Sequence, residues 1–60
     1  MKTYWYEVRS GEYEGEEFFI EAVNAKAAAK IATELFPNED LHCFGSVSEF
    51  EAEMMGLDTY

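Results

Sequence analysis

The chain has little of what small proteins commonly use to staple a fold or to do chemistry. One cysteine in 60 residues excludes an internal disulfide and every zinc pattern built from several cysteines. One histidine means that any transition-metal site would have to be completed by carboxylates or by a second subunit. Basic side chains are also scarce, with four Lys and Arg against thirteen Asp and Glu, a formal charge of −9. That balance repels nucleic-acid phosphates and anionic membrane surfaces, so neither direct nucleic-acid binding nor membrane binding is expected. No apolar run approaches the ~20 residues of a membrane-spanning helix. The start, Met1-Lys2-Thr3-Tyr4-Trp5, enters a strand pattern rather than a secretory signal. Together with a free thiol, this makes the cytoplasm the expected compartment.

Aromatic and other apolar residues are plentiful, with one Trp, four Tyr, five Phe and three Met. Each buried aromatic removes on the order of 150–250 Å² from water, which matters because a domain this short buries only about 60% of its unfolded surface. Residues 1–60 therefore read as a single small acidic domain held by apolar packing, with self-association as the available supplement. The negative charge serves solubility or complements a basic partner.

Lys2 to Arg9 alternates, with Tyr4, Tyr6 and Val8 on one face and Trp5, Glu7 and Arg9 on the other, as a strand does. Gly11 and Gly15 bracket a charged tip before Glu17 to Val23 alternates again through Phe18, Ile20 and Ala22; the two runs predict a hairpin with a long loop. Asn24 is a good N-cap for Ala25 to Phe36, a run of helix formers closed by Pro37. Ala28, Ile31, Ala32 and Leu35 share one face of that helix, and Ile31 and Leu35 are expected in the core. Leu41 to Val47 suits a third strand in which Gly45 marks a bulge or an end. Ser48 and Glu51 form a capping box for a short helix, Glu49 to Met55, stopped by Gly56.

These elements define an α+β fold class, a single ββαβα domain. A right-handed crossover that skips one position places the third strand beside the first, giving a three-stranded antiparallel sheet of order 2-1-3. One main helix packs on one face, and a short C-terminal helix comes last. Tyr4, Tyr6, Val8, Phe18, Ile20, Leu41, Cys43 and Val47 are expected to face the main helix.

Catalytic patterns are weak. His42 and Cys43 adjoin, but neighbouring strand residues point to opposite faces, so Cys43 reads as a small buried apolar residue. Glu12, Glu14, Glu16 and Glu17 make an acidic patch without the ligand spacing of a calcium loop. Gly11 and Gly15 lack phosphate-loop spacing, and their acidic neighbours oppose a phosphate. No cofactor, metal or enzymatic activity is expected.

The informative feature is a second aromatic set. If the main helix covers Tyr4, Tyr6 and Phe18, then Trp5, Phe19 and Phe44 lie together on the opposite face with Glu7, Glu21 and His42. Either this face is a contact surface, as contiguous apolar patches commonly are, or the last helix folds over it with Phe50, Met54 and Leu57. The expected function is a non-enzymatic protein-interaction module using this face, its partner a second copy or a basic protein. The alternative is an acidic nucleic-acid mimic, of the kind mobile elements encode, that blocks a basic nucleic-acid-binding protein.

Overall fold

A computed structural model describes residues 1–60, which form β1 (Lys2–Val8), β2 (Glu17–Ala22), α1 (Ala25–Leu35), β3 (Leu41–Val47) and α2 (Glu49–Met55). The sheet is antiparallel in the order β2-β1-β3, so the α+β class and the strand order are those the sequence predicts. The first strand stops at Val8, one residue early: the Arg9 amide still donates to the Asp40 carbonyl (2.8 Å) in the register of the β1–β3 pairing, but the Asp40 amide donates to Ser10 Oγ (2.8 Å) instead of returning the bond. The hairpin closes where the Gly15 amide donates to the Val8 carbonyl (2.8 Å) and the Val8 amide to the Glu16 carbonyl (2.9 Å).

Asn24 caps α1 through its Oδ1, which accepts from the Ala27 amide at 2.9 Å. The helix meets the sheet through Ala28 and Ala32, both fully buried against Tyr4, Tyr6, Val8, Phe18, Ile20 and Ala22. Two alanines one turn apart form a narrow ridge, which lets the helix axis come close while the strand aromatics fill the layer. Such close approach leaves larger neighbours at the flank. Ile31 is partly buried and packs against this core as expected, whereas Leu35 is 41% exposed, so the expectation that Leu35 is a core residue is corrected.

β3 departs from simple alternation at its bulge. Tyr6 pairs with Cys43 and Trp5 with Gly45, leaving Phe44 as the extra residue. The inserted residue reverses the parity of the strand beyond it, so Val47 stands opposite Thr3 on the face away from α1, contrary to expectation. Leu41 still packs against the main core. Cys43 is exposed rather than buried, because β3 is an edge strand and the buried core lies over β1 and β2.

α2 carries the expected capping box: Ser48 Oγ accepts from the Glu51 amide (3.1 Å), and Glu51 Oε1 accepts from the Ser48 amide (3.4 Å). It ends at Gly56, whose φ of 66° is left-handed. Its inward side is Ala52 and Met55, followed by half-buried Leu57. Phe50 and Met54 are 70% and 74% exposed, so they do not cover the sheet.

One further element has no counterpart in the sequence pattern. After α2 the chain returns to the outer edge of β2 and pairs in parallel through Thr59 and Phe19. The Phe19 amide donates to the Asp58 carbonyl (2.8 Å), Tyr60 to Phe19 (2.8 Å) and Glu21 to Tyr60 (3.0 Å). One sheet edge is thereby occupied. No helix is long and apolar enough to cross a membrane.

Candidate interaction surface

The face of the sheet turned away from α1 is built from the odd-numbered residues of β1 and their partners. Trp5 stands opposite Phe19 on β2 and Gly45 on β3. A bulge at Phe44 and Gly45 re-aims the side chain beside it, and Gly45 takes a φ of 112°, a conformation that any side chain would strain. Phe44 consequently lies against Trp5 with ring centroids 4.2 Å apart. His42 meets Phe44 edge-on at 4.7 Å, and the Arg9 guanidinium sits 5.9 Å from the Phe44 ring centre.

Polar contacts fix this group from the sides. Trp5 Nε1 donates to Glu17 Oε1 at 2.9 Å, so the indole N–H has a partner although the ring is half-buried. Arg9 Nε donates to Glu7 Oε1 at 2.8 Å, holding the guanidinium along the strand and beside the phenylalanine. Phe44 remains 43% exposed at the centre of this frame.

The six residues expected on the surface separate into three groups. Trp5, Glu7, His42 and Phe44 stand together. Phe19 is 1% exposed and belongs to the packed interior, standing between Trp5 on β1 and the returning tail that pairs with it. Glu21 borders a crevice with Thr3 on the sheet and Ala52 and Glu53 on α2, away from Phe44. The acidic set divides as well. Glu12, Glu14 and Glu16 are exposed in the hairpin loop, whereas Glu17 is the acceptor for Trp5. Sequence reasoning places Arg9 on this face without giving it a role and assigns Glu17 to the loop. The available signal is that an indole N–H seeks an acceptor and that Glu17 opposite Glu7 falls on the Trp5 side.

His42 and Cys43 point to opposite sides of β3, toward Phe44 and Tyr6 respectively, so they do not form a nucleophile–base pair. Tyr6 is the one group whose ionisation is clearly displaced. Burial pushes its phenol up to about 12, and the neighbouring Cys43 and Tyr4 add to the shift. That makes Tyr6 a neutral packing residue at physiological pH. No three His, Cys, Asp or Glu side chains converge as a metal-binding group. Compared with protein-family models, curated proteins and solved structures, the chain matches none.

Proposed function

We propose that this protein is a non-enzymatic interaction module that contacts a partner protein through the Trp5, Phe44 and His42 surface. The observation that carries the reading is Phe44, a phenylalanine 43% exposed and set on Trp5 by a bulge. Half-exposed aromatics fixed in place lose little conformational entropy on binding and are enriched in interface cores. The partner that fits presents an apolar side chain to Phe44 and basic groups to the carboxylates around it, given the overall charge of −9. A second copy would bring the same negative charge to the interface, which makes a basic protein the better complement.

The test is Phe44→Ser. In a pull-down or titration with the partner, loss of a central aromatic anchor weakens binding by about thirtyfold, while the far-ultraviolet circular dichroism stays that of the parent. Unchanged binding by the folded variant would remove this surface from consideration. Sedimentation of the parent at several concentrations identifies a second copy as the occupant if its mass doubles and Phe44→Ser returns it to a monomer.

A second reading has its own support. Against thirteen carboxylates there is one ion pair, Arg9 with Glu7, so most of the acidic side chains are free to present charge to a basic protein. Such a protein would act as an acidic nucleic-acid mimic. Its association would weaken steeply as salt rises and would be competed by duplex DNA. Binding through Phe44 with little salt dependence would reject it.

A further inference from the structure

On the opposite side of the molecule, four aromatic rings from separate parts of the chain line one cavity. Tyr13 comes from the hairpin loop, Phe18 from β2, Phe36 from the end of α1 and Tyr60 from the returning tail. The rings form a continuous wall. Phe36 meets Phe18 at 5.0 Å and Tyr13 edge-on at 5.7 Å, and Tyr60 meets Phe18 edge-on at 5.9 Å. Phe18 is buried and makes the floor, while Tyr13 and Tyr60 are about half exposed and make the rim. The cavity measures about 410 Å³, within the range of small-ligand sites and near its lower end.

The polar lining has one sign. Glu16 and Asp58 border the cavity, and no lysine, arginine or histidine does. Glu17 borders it too, but its carboxylate lies on the Trp5 face of the sheet, where it accepts from the indole N–H. Aside from the tyrosine hydroxyls, the lining side chains offer acceptors and no donors, so an anionic ligand finds nothing to bind. A cation finds ring faces and carboxylates together, which is the arrangement that recognises organic cations. Of these, a guanidinium fits best, since its plane stacks on aromatic rings and its fork pairs with a carboxylate.

We infer that this cavity is a receptor for an arginine side chain on a basic polypeptide. The site is separate from the Trp5 and Phe44 surface and stands or falls apart from it. It gives the excess negative charge a local use, because the field of the whole chain raises the concentration of a basic segment near the rim.

The probe is the peptide Gly-Gly-Arg-Gly-Gly, blocked at both ends, titrated into the isotope-labelled full chain and followed by NMR. The expected result is saturable shifts at Tyr13, Phe18, Phe36 and Tyr60, absent with the same peptide carrying citrulline, the neutral isostere of arginine. Tyr13→Ala and Tyr60→Ala, both at exposed rings, each weaken binding by about tenfold, whereas Tyr13→Phe retains it. Asp58→Asn weakens binding by about fivefold, more at low salt than at high. Phe44→Ser leaves arginine binding unchanged, which separates this site from the surface on the other face. Equal binding of the citrulline peptide, shifts confined to the Trp5 face, no shifts at millimolar peptide, or retained affinity in a well-dispersed spectrum of Tyr13→Ala would each overturn the inference.

Discussion

The two faces of the sheet are closed by different means. On one, α1 sets Ala28 and Ala32 directly on Tyr4, Tyr6, Val8, Phe18 and Ile20. On the other, the cover is uneven. Phe19, paired with the returning tail, is buried, while Phe44, two strands away, stays 43% exposed. The first face is closed over β1 and β2 by small helix residues packed on large strand residues, with Cys43 and Ser46 of β3 left exposed beside that core. The second is a seal on the β2 side that opens toward β3. A short chain with one long helix can close one face over two of its three strands, and its remaining residues decide how much of the other is left for a partner.

The strongest challenge to this comparison is Phe19→Ala. If the β2 side of the second face is interior, losing a fully buried phenylalanine costs about 3–5 kcal/mol. That approaches the whole of the ~5 kcal/mol at the lower end of the range for folded domains, where so short a chain belongs. Chemical denaturation should show a large fall in midpoint or a chain unfolded in water. A midpoint shifted by only a few tenths of a molar would mean that Phe19 is as accessible as Phe44 and that the two sides of this face do not differ.

On the first face, Tyr6 provides a spectroscopic measure of closure. Its pKa is raised from the ordinary 10 to about 12, by burial first and then by the nearby Cys43 and Tyr4. The folded protein thus holds this proton where the unfolded chain releases it. Stability from this group is complete below pH 10 and falls between about pH 10 and 12, by on the order of 2–3 kcal/mol in all. Titration at the tyrosinate absorbance should show a late-ionising phenol that is lost in denaturant and in Tyr6→Phe. Ionisation of Tyr6 near the ordinary value of 10 would contradict its burial under α1. Ala32→Leu probes the same seal sterically. Overfilling the ridge should destabilise by about 1–3 kcal/mol, despite leucine's comparable helix propensity, and a thermal melt equal to the parent's would show that α1 does not pack through its alanines.

Much of this architecture is legible in the residues. Period-two alternation in β1, the Asn24 cap, the Ser48 and Glu51 box and the stop at Gly56 are local signals, and each names its own element. The strand order comes from chain direction and crossover handedness. The illegible part depends on contacts between distant segments. The parallel pairing of residues 58–60 with β2 has no pattern in Leu57-Asp58-Thr59-Tyr60, since three residues are too few for periodicity. Without that pairing, Phe19 looks like a surface residue. Gly45 signals the bulge, but its consequence, the reversal of Val47, requires knowing that Phe44 is the unpaired residue. Leu35 looks like core because helical periodicity marks an apolar side but not which of its residues touches the sheet. The candidate surface is legible to a corresponding degree: its centre at Trp5 and Phe44 is written in alternation, and its boundary at Phe19 is not.

The smallest expected effect belongs to Phe44→Ala, and its size gives the comparison its sharpest form. Phe44 is apolar, aromatic and on the same sheet face as Phe19, so composition alone would assign both the same energetic weight. Its ring lies 4.2 Å from that of Trp5, and an aromatic pair contributes about 0.5–1.5 kcal/mol beyond area burial. Removing a side chain already 43% exposed sacrifices that contact and little else, because no closed cavity is left behind. The variant should therefore remain folded, with stability lowered by about 1 kcal/mol. Its Trp5 emission should shift to longer wavelength as water reaches the indole face that Phe44 now covers. Glu17 would still hold the indole nitrogen, which keeps the ring in place and confines the change to solvation. A loss near that of Phe19→Ala, or an emission spectrum identical to the parent's, would show that the β3 side is as closed as the β2 side and that no aromatic surface is presented there.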